Sequence, residues 1–496
     1  MKRLIALLTP VHRYLGLVFC LIFAAWFASG LVMIYARMPA YSAAERVARL
    51  PRLDPASIHL RPADAVAHAE LGSPPVRIRL TTYRSRPVYR LLVDDAWVTV
   101  FADDGKVLEP LTAGDALAVV NDAFPEQRGT ARLLDTIDRP DQWTIETAFA
   151  STGPLHIVAL GDSAATNVYV AANTGEVVLK TDRSSRFWGY AGPVMHWFYF
   201  TPFRVHGPLW ANVIIYGSLA GCCLCVLGLV IGTYRYSLSR RYWQSSATPY
   251  VGWLRWHHYA GLIFGVIALA WIFSGMLSME PWGVSEESAP DLEQVAAIRG
   301  HFVDAARFVN SPKSAIDVLH PQFAPKELDL IQFMGRPFYR AQDPGADRTL
   351  LVTAYQGPPT IKSGFTEYEL STAAAAVMHD EEESQSAWLT DYDAYYYDRY
   401  YDRGRGRPLP VLRVKYADAL GSWLYLDPRD GGLVQRETSR GRRVRWLYHG
   451  LHSLDFPGLY QAGWLWDAVI VTLCTGGLLL SMTSVIVGWR RLRRAQ

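Results

Sequence analysis

His12-Arg-Tyr-Leu-Gly-Leu-Val-Phe19 and His257-His-Tyr-Ala-Gly-Leu-Ile-Phe264 are two versions of one phrase, 245 positions apart. The match continues at the same offset through Trp26/Trp271 and Ser29-Gly30/Ser274-Gly275. Each copy opens an apolar run long enough to cross a bilayer, which takes about 20 residues. Four such runs occur, near Tyr14–Ala36, Leu209–Gly232, Tyr259–Met279 and Trp464–Trp489. Looser matches follow each copy. Arg86-Pro-Val-Tyr-Arg90 lies over Arg336-Pro-Phe-Tyr-Arg340, and Asp141-Gln-Trp143 over Asp393-Ala-Tyr395. Asn167-Val-Tyr169 with Thr174-Gly175 lies over Trp423-Leu-Tyr425 with Asp430-Gly431, and His196 over His449. The chain thus reads as a duplication in which each half is helix, external domain, helix. A pseudo-two-fold axis along the membrane normal is the natural consequence.

The whole composition agrees. Of 496 residues, 50% are hydrophobic and 19% charged, against about 25% charge in an ordinary soluble domain. Seventeen Trp, 27 Tyr and 19 Phe exclude a disordered chain. A net charge of +3 gives no footing for nucleic-acid binding. The five cysteines, Cys20, Cys222, Cys223, Cys225 and Cys474, all lie in the most apolar stretches. That excludes a disulfide-stapled secreted fold and a zinc site built on paired Cys motifs. No Gly-x-Gly-x-x-Gly or Walker loop occurs, so an electron donor would have to be external.

Charge sets the expected orientation. Residues 1–13, 233–258 and 490–496 carry eleven Lys and Arg (Lys2, Arg3, Arg13, Arg235, Arg240, Arg241, Arg255, Arg490, Arg491, Arg493, Arg494) and no Asp or Glu. The remainder holds 38 basic against 46 acidic residues. By the positive-inside rule both termini and the 233–258 loop face the cytoplasm. The expected segments are 1–36 with the first span, external 37–208, span 209–232, loop 233–258, span 259–279, external 280–463, and 464–496 with the last span and a basic C-terminus. The first run is too long for a signal-peptide core and is expected to be retained. External Val88–Val93, Trp97–Phe101 and Val168–Val170 read as strands closed by Asp103-Asp104-Gly105, Asn173-Thr174-Gly175 and Asp430-Gly431-Gly432 turns. Ala63–Ala69 and Asp115–Phe124 read as helices. The fold class is an α+β membrane protein, with four transmembrane helices in two duplicated halves.

Strand pairs ending in Asp-Gly or Thr-Gly turns, flanked by "HRYLGL", "HHYAGLIFG", "MHWFYFTPFR" and "YHGLHSLDFPG", resemble the PepSY-associated transmembrane helix family over most of both halves. The resemblance implies a multi-pass bacterial inner-membrane protein whose halves each carry a periplasmic PepSY-type domain. It implies haem-containing ferric-siderophore reductases among the relatives, and so a ferric-chelate reductase in iron uptake. The family's link to peptidase propeptides implies another class: a membrane-anchored PepSY protein that binds a peptide or regulates a periplasmic protease.

The thirteen histidines divide accordingly. His59, His68, His156, His301, His320 and His379 lie in external sequence and read as structural or solvated. His12, His257, His258, His196, His206, His449 and His452 sit at membrane edges, where an ionisable group is a functional candidate. His12 and Gly16, and likewise His257 and Gly261, share a helix face at i,i+4. An imidazole offering Nε2 to iron, with a bare helix face one turn on, suits a porphyrin. Arg13 and Arg255 are candidates for its propionates. Pro202 and Pro208 break the path from His196 to its span and let aromatic His196–Phe200 lie in the interface. The expectation is two b-type haems, one on His12 and His257, the other on His196 and His449. His258 and His452 are rival ligands beside them. Electrons would pass from a cytoplasmic or membrane donor to a periplasmic acceptor such as a ferric chelate. The run Asp391-Tyr-Asp-Ala-Tyr-Tyr-Tyr-Asp-Arg-Tyr-Tyr-Asp-Arg403 reads either as an iron-chelate contact or as an aromatic strand pair.

Overall fold

A computed structural model describes residues 2–495 other than 147–148, 150–151, 238–246, 284–289, 344–347, 380 and 399–406. The expected basic Arg240 and Arg241, and the end of the tyrosine-rich run, lie outside the described residues. The chain forms two compact units. One comprises Met1–Met38, Ser185–Glu286 and Arg440–Gln496; the other comprises Pro39–Ser184 and Glu287–Ser439.

The first unit is built on α1 (Lys2–Met33), α2 (Gly207–Arg235), α3 (Trp253–Leu277) and α4 (Trp464–Ala495). All four are long and apolar enough to cross a membrane. They outrun the expected apolar runs because basic ends continue a helix beyond its hydrocarbon-matched centre. α1 begins twelve residues before Tyr14, and α4 runs through Arg490, Arg491 and Arg493. The helices form a ring in which α1 contacts α2 and α4, and α3 contacts α2 and α4. Large apolar side chains face outward, with Val18 65%, Leu21 67% and Ile263 66% exposed. Such a continuous apolar exterior is what lipid covers, and this is a membrane protein. Inside the ring, small residues admit rings. A Cβ on Gly476 would fall 2.2 Å from Phe264, and one on Gly477 2.2 Å from Phe27.

The second unit contains three antiparallel sheets. β1 (Arg77–Tyr83), β2 (Arg86–Val93) and β3 (Ala96–Phe101) meet β8 (Leu328–Phe333), β9 (Arg336–Gln342), β10 (Thr349–Thr353) and β11 (Ile361–Lys362) in a seven-stranded sheet ordered β11-β10-β9-β8-β1-β2-β3. β4 (Arg132–Ile137), β5 (Leu155–Ala159), β6 (Asn167–Ala171) and β7 (Val177–Thr181) form a second sheet. β12 (Glu383–Leu389), β13 (Val411–Tyr416), β14 (Trp423–Leu426) and β15 (Leu433–Glu437) form the third. The expected helices are present as Pro62–His68 and Ala113–Ala123, the latter started by a Thr112/Asp115 capping box.

The seven-stranded sheet is joined at its middle by only three residue pairs, Ile78↔Leu330, Arg79↔Asp329 and Leu80↔Leu328. Register places Arg90, Arg79, Asp329 and Arg340 in one row across β2, β1, β8 and β9. Two like-charged neighbours in that row, Arg79 and Arg90, are reconciled by Glu176. Its Oε1 lies 2.8 Å from Arg90, 2.9 Å from Arg46 and 3.1 Å from Arg79. Burial pushes the Glu176 carboxyl up, but the three guanidiniums outweigh it and hold the group at about 2. Asp329 is lowered in the same way by Arg340, Arg77 and Arg79 against its burial.

Both carboxylates therefore stabilise the fold when ionised. For Glu176 that contribution is complete above its ordinary value of 4.5 and is lost as pH falls towards 2. Removing one partner of a buried ionic cluster leaves uncompensated charge, so Glu176→Gln is expected to cost about 3–5 kcal/mol of stability at neutral pH. Denaturant unfolding of the full chain measures this, and an unchanged midpoint would contradict it.

Candidate functional site

Four imidazoles meet in two pairs inside the membrane unit. The first pair is His12 on α1 and His257 on α3, whose ring centres are 6.4 Å apart with planes at 35°. His12 Nδ1 lies 3.2 Å from the Leu224 carbonyl on α2. His257 Nδ1 lies 3.2 Å from the hydroxyls of both Thr483 and Ser484 on α4. Those hydroxyls donate to the Leu480 carbonyl at 2.7 and 3.1 Å, which leaves their lone pairs for the ring N–H. An Nδ1 that donates puts the imidazole lone pair on Nε2. Space beside the rings is set by glycines. A Cβ on Gly16 would meet only Leu224 at 3.9 Å, and one on Gly261 only Leu480 at 3.8 Å. On α2, a Cβ on Gly228 would lie 2.8 Å from the His12 ring.

His258 is a different residue in kind. Its Nδ1 lies 2.6 Å from Thr248 Oγ1 and its Nε2 2.9 Å from the Gly232 carbonyl. Both nitrogens are used in holding the α2–α3 connection, whereas the contacts of His257 with Thr483 and Ser484 engage its Nδ1 alone. Arg13 is exposed, and Arg255 Nε donates to the Tyr250 carbonyl.

The second pair is His196 with His452, ring centres 6.2 Å apart and planes at 63°. His196 Nδ1 lies 3.2 Å from both the Trp26 carbonyl and Ser29 Oγ on α1. His452 Nδ1 lies 3.2 Å from the Trp271 carbonyl and 3.1 Å from Ser274 Oγ on α3. Gly30 and Gly275 let the rings approach, since a Cβ there would lie 3.4 and 3.2 Å from the respective Cε1 atoms. The local chain is also the same. A π-helical turn, Tyr190–Val194 or Trp446–Gly450, leads to a short helix, Met195–Trp197 or Leu451–Ser453. Each ends in a left-handed residue, Phe198 at φ +54° or Leu454 at φ +53°.

In the structure the ring beside His196 is that of His452, the expected rival, and not that of His449. His449 lies in the π-helical turn, where the first half has Pro193, and its ring packs on Tyr448 at 4.5 Å. The signal for His452 was present in the sequence. The strands at 167–169 and 423–425 already run 256 positions apart, and that offset carries His196 to His452 and Phe200 to Phe456.

His12 and Trp26 are fourteen residues apart on α1, as are His257 and Trp271 on α3. At 1.5 Å per residue the two pairs lie about 21 Å apart along the helices. Phe19, Phe23 and Trp26 fill the α1 side between them, with ring centres 5.6 and 5.8 Å apart. Two iron–nitrogen bonds of ~2 Å, with ~1 Å more to each ring centre, need ring centres ~6 Å apart, which both pairs meet.

Other candidates are accounted for locally. His156 is held at both nitrogens, by Thr136 Oγ1 and the Leu111 carbonyl, each at 2.8 Å. In the described part of the tyrosine-rich run, the Tyr392 and Tyr396 hydroxyls donate to main-chain carbonyls at 2.7 Å, and Tyr396 stacks on Tyr425. Among the described residues no three His, Cys, Asp or Glu side chains form a metal-holding group, so the histidine donors come in twos.

No curated protein matches the chain. Its sequence matches the PepSY-associated TM region over residues 9–491, nearly its full length. The chain belongs to the PepSY-associated TM region family.

Proposed function

We propose that this protein is a dihaem electron-transfer protein of the bacterial inner membrane, with His12 and His257 holding one b-type haem and His196 and His452 the other. The observation that carries the reading is the spacing of both ring pairs, 6.4 and 6.2 Å, with every Nδ1 engaged by a protein oxygen. That is the outer-shell arrangement of a metal-ligating histidine, in which the second nitrogen fixes tautomer and orientation. Bound with two axial imidazoles, a haem iron supplies one-electron exchange without an open coordination position. The protein's own part is to fix ring direction through Trp26, Trp271 and Leu224, to keep helix faces bare at Gly16 and Gly261, and to exclude water with Phe19, Phe23 and Phe27.

Orientation follows from charge, which puts the His12 pair at the cytoplasmic face and the His196 pair at the periplasmic face. The recurrence of π-helical turn, short helix and left-handed stop supports an origin by duplication. The external segments of both halves are read as periplasmic PepSY-type regions on the family match and the charge bias. Electrons would enter from a cytoplasmic or membrane donor and leave to a periplasmic ferric chelate, making the protein a ferric-chelate reductase in iron uptake. A peptide-binding or protease-regulating role would give no reason for four oriented imidazoles in the membrane unit.

Protein from haem-replete cells should show a Soret band and reduced α-bands of low-spin haem, and a colourless preparation would end the proposal. His12→Ala or His257→Ala should remove about half of the haem, and His196→Ala or His452→Ala the other half. His449→Ala and His258→Ala should retain both. Gly228→Ala, whose methyl would press on the His12 ring, should lose the same half as His12→Ala. Gly217→Ala, with nothing within 4 Å, should lose none, and pyridine haemochrome per protein decides each case.

A further inference from the structure

The helix Ser439–Arg445 carries Arg440, Arg442, Arg443 and Arg445 and no acid, and it runs straight into the π-helical turn before His452. The equivalent helix 256 positions earlier, Arg183–Gly189, carries only Arg183 and Arg186, so this side has two additional guanidiniums, with Phe187 standing where this helix has Arg443. At this end the membrane unit has Arg37, Arg186, Arg204, Arg440, Arg442, Arg443 and Arg445 against Glu280, Asp455 and Asp467, counted among the described residues. In the proposed orientation that excess lies on the periplasmic side, where topology asks for no positive charge. Something else selects it.

Arg445 and Arg440 are tied inward. Arg445 is buried, donates to the Asp455 carbonyl and lies over Trp446. Arg440 Nη2 donates to the Gly283 carbonyl at 2.6 Å. Arg443 is exposed, nine residues before His452, about 14 Å along a helical path. Its counterpart Phe187 is 61% exposed, so the same place offers grease in one half and charge in the other.

We infer that the arginine helix 439–445, through the exposed Arg443, is the docking site of the electron acceptor, and that the acceptor is an anionic, polycarboxylate-type ferric chelate. The inference rests on the reading of His196 and His452 as the periplasmic redox site. Guanidinium forks match carboxylates, and a clustered positive field raises the rate of encounter with anions. Each turnover moves one electron from the reduced protein to the chelated ion, taking Fe(III) to Fe(II). No covalent bond within the chelator is made or broken, and the weaker hold of oxygen chelators on Fe(II) lets the metal leave.

The test uses the full chain in nanodiscs, pre-reduced with a stoichiometric amount of dithionite and mixed with ferric citrate or with a cationic ferric trihydroxamate. Arg443→Gln should lower the second-order rate with ferric citrate about 3–10-fold at low ionic strength, with the gap closing in ~0.5 M salt. Arg443→Glu should lower it further, and Arg443→Lys should recover most of it. The rate with the cationic chelate should not fall in any of them. Equal losses for both chelates, or no loss with citrate, would overturn the inference. So would a loss seen only in nanodiscs of anionic lipid, since the helix would then serve phosphate headgroups. Absence of haem from the wild type is a separate failure, of the reading on which this one rests.

Discussion

An imidazole has one lone pair to offer when neutral, and the protein decides which nitrogen carries it by what it places at the other. In both histidine pairs an oxygen of a neighbouring helix takes Nδ1. The Trp26 and Trp271 carbonyls can do so only because the rings lie tight against Gly30 and Gly275. Each helix thus has two duties, to span and to present an acceptor at one depth. His258 shows the contrast. With both nitrogens bonded it is a strut between α2 and α3, although its neighbour His257 shares the same turn.

His12 and His257 belong to α1 and α3, which stand opposite each other in the ring α1–α2–α3–α4, and His196 and His452 hydrogen-bond to those same two helices from the short helices Met195–Trp197 and Leu451–Ser453. Helices across a ring are held apart by their neighbours, so only large side chains meet in the middle. His12 and His257 do so at one end, and Phe27 and Trp271, 5.8 Å apart, do so farther along. Cofactor sites in helix bundles are built in this way, from residues on facing helices projecting inward. Neither half of the chain supplies both members of a pair. The second unit has the same dependence, because β1 and β8 come from distant segments of the chain and complete one sheet.

Much of this was legible in the sequence where the signal is local. His12-x-x-x-Gly16 and its repeat lie inside uninterrupted helices, where spacing translates into a face. The strands Val88–Val93 and Trp97–Phe101 and their Gly turns were equally plain. The partner of His196 is legible only once the change of offset is noticed, because the spans keep an offset of 245 while the segment before α4 keeps one of 256. A π-helical turn then adds a residue to the helical count, so that His449 and His452, nominally one turn apart, present different faces. The salt-bridged row Arg90, Arg79, Asp329 and Arg340 was illegible for another reason. It is created by strand register between distant segments, and no local pattern encodes it.

The two halves agree most closely where the imidazoles are held and diverge around them. Phe23 on α1 answers to Ala268 on α3, so the aromatic column from Phe19 to Trp26 exists on one side only. Pro193 answers to His449 and Phe187 to Arg443. The likeness is closest where a ring must fit against a glycine and reach a main-chain carbonyl, since a displacement there breaks the hydrogen bond. It is looser where a side chain is exposed, as Phe187 and Arg443 are. At the His196 end the two segments accordingly differ in charge, Phe187 against Arg443, while the two paired rings keep matching contacts to Trp26 and Trp271.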